Sequence, residues 1–196
     1  MISIRLAHRE DVSEMLAIYR PIVLETHISF EYEVPSERDF AERVDRTLEK
    51  YPWLVLKDGN NLMGYAYASA LRGRIAYQWT VETSVYVHPG YRKKGVAVCL
   101  YESLLACLRE MGYLRAFAIV CLPNDPSVEF HRRMEFRQSG TFPNVGYKFG
   151  QWWDTTLWER WIQPPDSTPG PLKHWSEIPE HLLNAALEAG LTYLKN

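Results

Sequence analysis

A strand-like run, Thr83-Ser84-Val85-Tyr86-Val87, leads through the turn His88-Pro89-Gly90-Tyr91 into Arg92-Lys93-Lys94-Gly95-Val96-Ala97. A helical pattern begins there and continues to about residue 111. A strand, a basic glycine-containing turn and a helix together make a pyrophosphate cradle. Backbone N–H groups at a helix start point at an anion, and the helix dipole favours negative charge there. Gly95 lets the backbone approach a ligand closely, so a large side chain at this position is expected to fill the cradle. Arg92, Lys93 and Lys94 surround it with positive charge.

The rest of the chain reads as alternating strands and helices. Residues 2–7 alternate like a first strand, and Val12, Met15, Leu16, Ile18 and Tyr19 mark a helix that Pro21 could kink. Pro35-Ser36 followed by Asp39 predicts a capped second helix to about Glu49. Residues 53–56 and 62–70 read as strands joined by a hairpin with Asp58-Gly59 as its turn signal. The next strand is placed at 77–87, long enough to bend. After the cradle helix, Gly112 is a plausible stop. The apolar run 117–122 reads as a strand buried on both faces. A short helix follows at 126–134, then loop or edge at 140–147, and a last strand at 154–161. This order predicts one α/β domain, a mixed central sheet with helices on both faces. The proline-rich stretch 164–171 reads as a stiff connector to a terminal helix at about 178–194, with Ser176 as a possible cap. Residues 164–196 are expected to belong to the same globular unit as 1–163. Leu182, Leu183, Ala186 and Leu187 form the apolar stripe of that helix, which would dock on the domain or on a partner subunit.

Composition narrows the function classes. The 196 residues suffice for one domain with a full core. A formal charge of −2 argues against a general binder of nucleic acid or membrane surfaces, so the positive charge of the cradle is local. No apolar run approaches the roughly 20 residues a membrane span needs, and residues 1–5 lack the apolar stretch of a signal peptide. Cytoplasmic residence is the expectation. Cys99, Cys107 and Cys121 form no Cys-x-x-Cys pair, and the six histidines show no metal-ligand spacing. Packing cysteines and no metal are expected.

Arg-x-x-Gly-x-Ala after a Val-x-Val strand resembles the acetyl-CoA signature of the GCN5-related N-acetyltransferases. Residues 51–55 (YPWLV), 76–82 (AYQWTVE), 122–128 (LPNDPSV) and 146–148 (GYK) resemble one branch more closely, the phosphinothricin and methionine sulfoximine acetyltransferases. The resemblance covers roughly residues 2–163, and the LPNDPSV block is its most specific part. It implies the splayed-strand fold of that superfamily. It also implies Val85, Tyr86 and Val87 lying along the pantetheine arm of acetyl-CoA through their backbone. Arg92, Lys93, Lys94, Gly95, Val96 and Ala97 would hold the pyrophosphate, and Asn124 and Ser127 would touch the cofactor. Seven residues after Asn124 the superfamily carries a tyrosine that protonates the leaving thiolate. Here, as in the close branch, that position is His131, a general-acid candidate whose alternative is a ring that packs on the helix or bonds a backbone carbonyl.

Acetyl transfer to an amine needs a neutral amine, a polarised thioester carbonyl and a proton for the thiolate. Glu82, near the bend of the strand before the cradle, is the general-base candidate. Its alternative is a salt bridge to Arg72 or Arg74. Those two arginines match the substrate loop of the branch and suit an oxyanion through paired hydrogen bonds. Phe30 matches an aromatic lid, and Tyr147 and Lys148 a later substrate loop that could come from the second subunit of a homodimer. The implied function is detoxifying acetylation of a phosphinothricin-like or methionine-sulfoximine-like amine, conferring herbicide resistance. The alternatives are acetylation of another amine, such as a protein N-terminus, and a non-catalytic acyl-CoA sensor.

Overall fold

The structure, a computed structural model, describes residues 1–164 and 168–195. Seven strands form one sheet: β1 (Ile2–Leu6), β2 (Trp53–Asp58), β3 (Asn61–Ala70), β4 (Thr80–Val87), β5 (Arg115–Cys121), β6 (Arg137–Lys148) and β7 (Gln151–Trp161). Their order is β1-β2-β3-β4-β5-β7-β6. Every neighbouring pair is antiparallel except β4–β5, which is parallel. The helices are α1 (Val12–Glu25), α2 (Glu37–Leu48), α3 (Val96–Glu110), α4 (Asp125–Arg133) and α5 (Glu180–Glu188).

Each sheet face carries its own core, because successive strand residues point to opposite sides. Trp53, Val55 and Tyr65 join Met15, Tyr19, Phe40 and Val44 of α1 and α2 on one face. Leu54, Leu56, Ala66, Ala68 and Val81 join Val96, Leu100, Leu104 and Leu108 of α3 on the other. The buried stripe of α1 keeps Pro21 inside the helix rather than ending it. Ser36 caps α2, its Oγ accepting from the Asp39 N–H at 3.1 Å.

Three expectations change and one alternative is decided. Residues 77–79 lie outside β4; a single 3-10 turn, Ile75–Tyr77, precedes it. Of loop or edge, residues 140–147 take the second: they form most of β6, an edge strand whose pairing with β7 shifts between Gln138 and Gly140 and between Phe142 and Gly146. Those irregularities hid the strand's two-residue period. Ile119 on β5 is exposed, although this strand reads as buried on both faces. The terminal helix is shorter than expected. Its N-cap position is Pro179, which makes no side-chain cap, rather than Ser176; it ends at Glu188 and gives way to a 3-10 turn, Leu191–Tyr193. Ala186 and Leu187 pack into the α3-side core, while Leu182 is exposed. Within the proline-rich connector, residues 165–167 lie outside the described residues. The Gly170 carbonyl beyond them accepts the Trp79 indole N–H at 2.7 Å.

Candidate active site

β4 and β5 pair only where Thr80, Val81 and Glu82 face Arg115, Ala116 and Phe117. Beyond that point they part, while β5 stays paired to β7 along its whole length. The Thr83 hydroxyl donates to the Phe117 carbonyl at 3.0 Å. That bond sits at the last paired position, and the fork opens beyond it. Val85, Tyr86 and Val87 line its β4 arm. Val85 and Val87 pack their side chains on the α3-side core, and Tyr86 stacks on Tyr65 at 5.1 Å on the opposite face. Backbone is what the fork has to offer a ligand.

The fork opens toward the start of α3. Gly95 is the N-cap, with φ of +82°, and Lys93 has φ of +65°. Two left-handed residues turn the chain sharply into α3, whose first N–H groups, as at any helix start, have no helical partners. Arg92, Lys93 and Lys94 are exposed around them, and the Lys94 ammonium lies 5.2 Å from the centre of the Tyr91 ring. Val96 is buried and Ala97 half-buried, so they fix the helix rather than face solvent. This donor set fits a pyrophosphate. The expectation for a bulky residue at position 95 needs correcting, however. A Cβ on Gly95 would lie 2.1 Å from the Tyr193 carbonyl oxygen, so it would strike the C-terminal segment first.

On the far arm, Asn124 is the N-cap of α4, its Oδ1 accepting from the Ser127 N–H at 3.3 Å. His131 is 4% exposed and closed in by Tyr101, Phe130, Phe136 and Trp158. Its Nδ1–H donates to the Ser127 carbonyl at 2.8 Å. In the neutral ring Nε2 is then a bare acceptor, and it faces the Tyr101 hydroxyl at 3.3 Å. Burial pulls the pKa of His131 down to about 4. The buried ring that bonds the Ser127 carbonyl fits the second of the two readings the sequence left open, a packing histidine rather than a general acid. Tyr101 of α3, for which the sequence gives no signal, links it to the fork: its hydroxyl also donates to the Thr83 carbonyl at 3.2 Å.

Glu82 sits at the fork's closed end on the α1–α2 face, the face opposite α3. It makes no ion pair among the described residues. Burial raises its pKa, and the nearby Arg72 charge works against that rise. Arg72 and Arg74 are exposed on the turn after β3 and share an open hollow with Gly73 and Tyr77.

Residues 26–36 fold over this face, and the β6–β7 hairpin of the same chain fastens them. Lys148 is 2% exposed, and its ammonium donates to the carbonyls of Val23 at 2.7 Å, Thr26 at 2.9 Å and Ser29 at 2.6 Å. All three donors are spent, so Lys148 has none left for a substrate, and the expectation of a substrate contact is corrected. The Phe30 ring lies where a Cβ on Gly146 would be, 2.0 Å from its Cζ. His27 stacks on Trp153 at 3.9 Å and donates to the Pro123 carbonyl at 3.0 Å. The Tyr32 hydroxyl donates to the Tyr147 carbonyl, and the Tyr147 ring is exposed. The three cysteines are all buried, with thiols pushed up to about 12 for Cys99 and Cys107 and about 11 for Cys121. None is a thiolate near neutral pH.

Residues 4–157 match the family model described as Acetyltransferase (GNAT) domain. The chain belongs to the GNAT acetyltransferase family. Among GNAT relatives it is 32% identical to the phosphinothricin N-acetyltransferase of Streptomyces viridochromogenes over 177 residues, 90% of this chain and 96% of the relative. It is 36% identical to the L-methionine sulfoximine/L-methionine sulfone acetyltransferase of Pseudomonas aeruginosa over 172 residues, 85% of this chain and 98% of the relative. The GNAT phosphinothricin acetyltransferase of Sinorhizobium meliloti, solved in complex with AcCoA, superposes with a TM-score of 0.82. It is 31% identical, and the match covers 86% of this chain and 93% of that one.

Proposed function

We propose that the protein moves the acetyl group of acetyl-CoA directly to the amine of a small amino-acid-like molecule of the phosphinothricin or methionine sulfoximine type. The observation that carries this reading is the arrangement about the fork. An anion cradle at the start of α3 and a desolvated carboxylate on the α1–α2 side flank one gap in the sheet. Two reactants entering from opposite faces suit transfer in a ternary complex, and no nucleophilic side chain is needed. The acceptors named for the relatives support the substrate class.

When bound, acetyl-CoA supplies the acetyl group as an activated thioester. The start of α3 and Arg92, Lys93 and Lys94 hold its pyrophosphate, and the β4 backbone and Asn124 align its arm. Glu82 takes the proton of the incoming ammonium, directly or through water. Its raised pKa brings it closer to the working pH, where a general base is most effective. Arg72 and Arg74 hold the acceptor's oxyanion, and Phe30 closes over its side chain. His131 acts through Tyr101 as a positioning residue of the fork. Exposed Phe142, Val145, Tyr147, Phe149 and Trp152 on the β6–β7 hairpin support a homodimer formed through that edge. The reading places the enzyme in the cytoplasm, where its detoxifying action would confer herbicide resistance.

Thiol release from acetyl-CoA with L-phosphinothricin, L-methionine sulfoximine and a panel of free amino acids tests this. Selective turnover of the first two supports the assignment. Silence across the panel, with acetyl-CoA still bound, would remove the substrate class and leave the fold and cofactor reading.

A further inference from the structure

Past α5 the backbone lies directly on α3. The Ser103 hydroxyl donates to the Leu187 carbonyl at 2.6 Å and accepts from the Gly190 N–H at 3.1 Å. A Cβ on Gly190 would lie 1.9 Å from the Cys99 carbonyl oxygen. One 3-10 turn later the contact is repeated in reverse. The Tyr193 carbonyl occupies the space beside Gly95, and the Lys195 N–H donates to the Lys94 carbonyl at 3.0 Å. Each segment thus places a glycine against the other's backbone. The second contact falls on the cradle itself, at Lys94 and Gly95, next to a lysine in the disfavoured left-handed region. A turn of that kind persists only when its surroundings hold it.

We propose that residues 190–195 are a positioning element of the acetyl-CoA site, whose backbone keeps the turn through Lys93 and Gly95 in the shape that presents the first N–H groups of α3 to an anion. The inference rests on the reading of residues 92–97 as the cofactor cradle. The tail acts through its main chain, with the Lys195 N–H as the bond nearest the cradle.

The test is calorimetric titration of CoA into the full-length wild type, Lys195→Pro and Lys195→Ala, with unfolding temperatures recorded in parallel. Proline removes the N–H donor, and Leu194 at φ −68° and ψ 135° already has the backbone that a following proline requires. Alanine removes the charge and keeps the N–H. Lys195→Pro is expected to weaken CoA binding about threefold to tenfold, the value of one hydrogen bond, while Lys195→Ala stays within about twofold of wild type. Gly190→Ala, which lifts the tail from Cys99, should weaken CoA in the same direction. Saturating turnover and the KM for the amine should stay near wild type in all three. CoA binding by folded Lys195→Pro equal to wild type, or an equal loss in Lys195→Ala, overturns the inference. A wild type that does not bind CoA sinks the cradle reading and the inference with it.

Discussion

The Lys148 ammonium lies 2.6 Å from the carbonyl oxygen of Ser29, the residue before the lid phenylalanine. Two further carbonyls, those of Val23 and Thr26, complete its shell. A residue of the last hairpin thus holds the loop between α1 and α2. A lysine suits the place because it brings three donors and no acceptor. Lys148→Met keeps much of the volume and strips all three bonds, leaving three backbone acceptors to find water. We expect a loss of about 2–4 kcal/mol of stability, read as a lower midpoint in urea, and a raised KM for the amine as the lid loosens.

Gly146 makes room for Phe30. Gly146→Ala would place a methyl inside the ring's space, so the lid must shift. The expected result is a KM for the amine raised several-fold with CoA affinity unchanged, measured by initial rates and calorimetry. Equal losses on both would mean that the hairpin serves the fork as a whole.

Glu82→Gln should lower saturating turnover about 100-fold or more, the usual contribution of a general base, and leave CoA affinity intact. Because burial raises the folded-state pKa of Glu82, its charged form opposes folding at neutral pH. The same substitution should therefore raise the unfolding temperature at pH 7. Arg72 holds that pKa down, so Arg72→Ala should move the acid limb of the rate profile to higher pH. An unmoved limb would show that a different group titrates.

His131 has a folded-state pKa of about 4, depressed below the ordinary histidine value of about 6.5. The unfolded chain binds the proton first as pH falls. Stability from this site is therefore complete above about pH 6.5 and is lost progressively down to about pH 4, at most about 3 kcal/mol. His131→Phe should flatten that part of the stability–pH curve, followed by chemical denaturation at several pH values. Turnover of His131→Phe that stays within about twofold of wild type would remove even the positioning role.

Some of this was legible from residues alone. The strand, the basic turn and the α3 helix, the Ser36 cap and the Asp58-Gly59 hairpin are local, and their signals lie within a few neighbours. Glu82 could be placed three residues before Val85, and folding puts it at the last rung shared by β4 and β5. Packing decided what distance along the chain conceals. Lys148 meets Val23 across 125 positions, and Lys195 meets Lys94 across 101, so no short window contains either contact. The fate of His131 turned on burial: the same imidazole is a proton donor at a wet cleft and a neutral strut when it is closed in by four aromatic rings. Residue types and their spacing determined which chemistry this chain could hold; which groups remained free to perform it was decided by desolvation and hydrogen-bond partners that only the folded chain supplies.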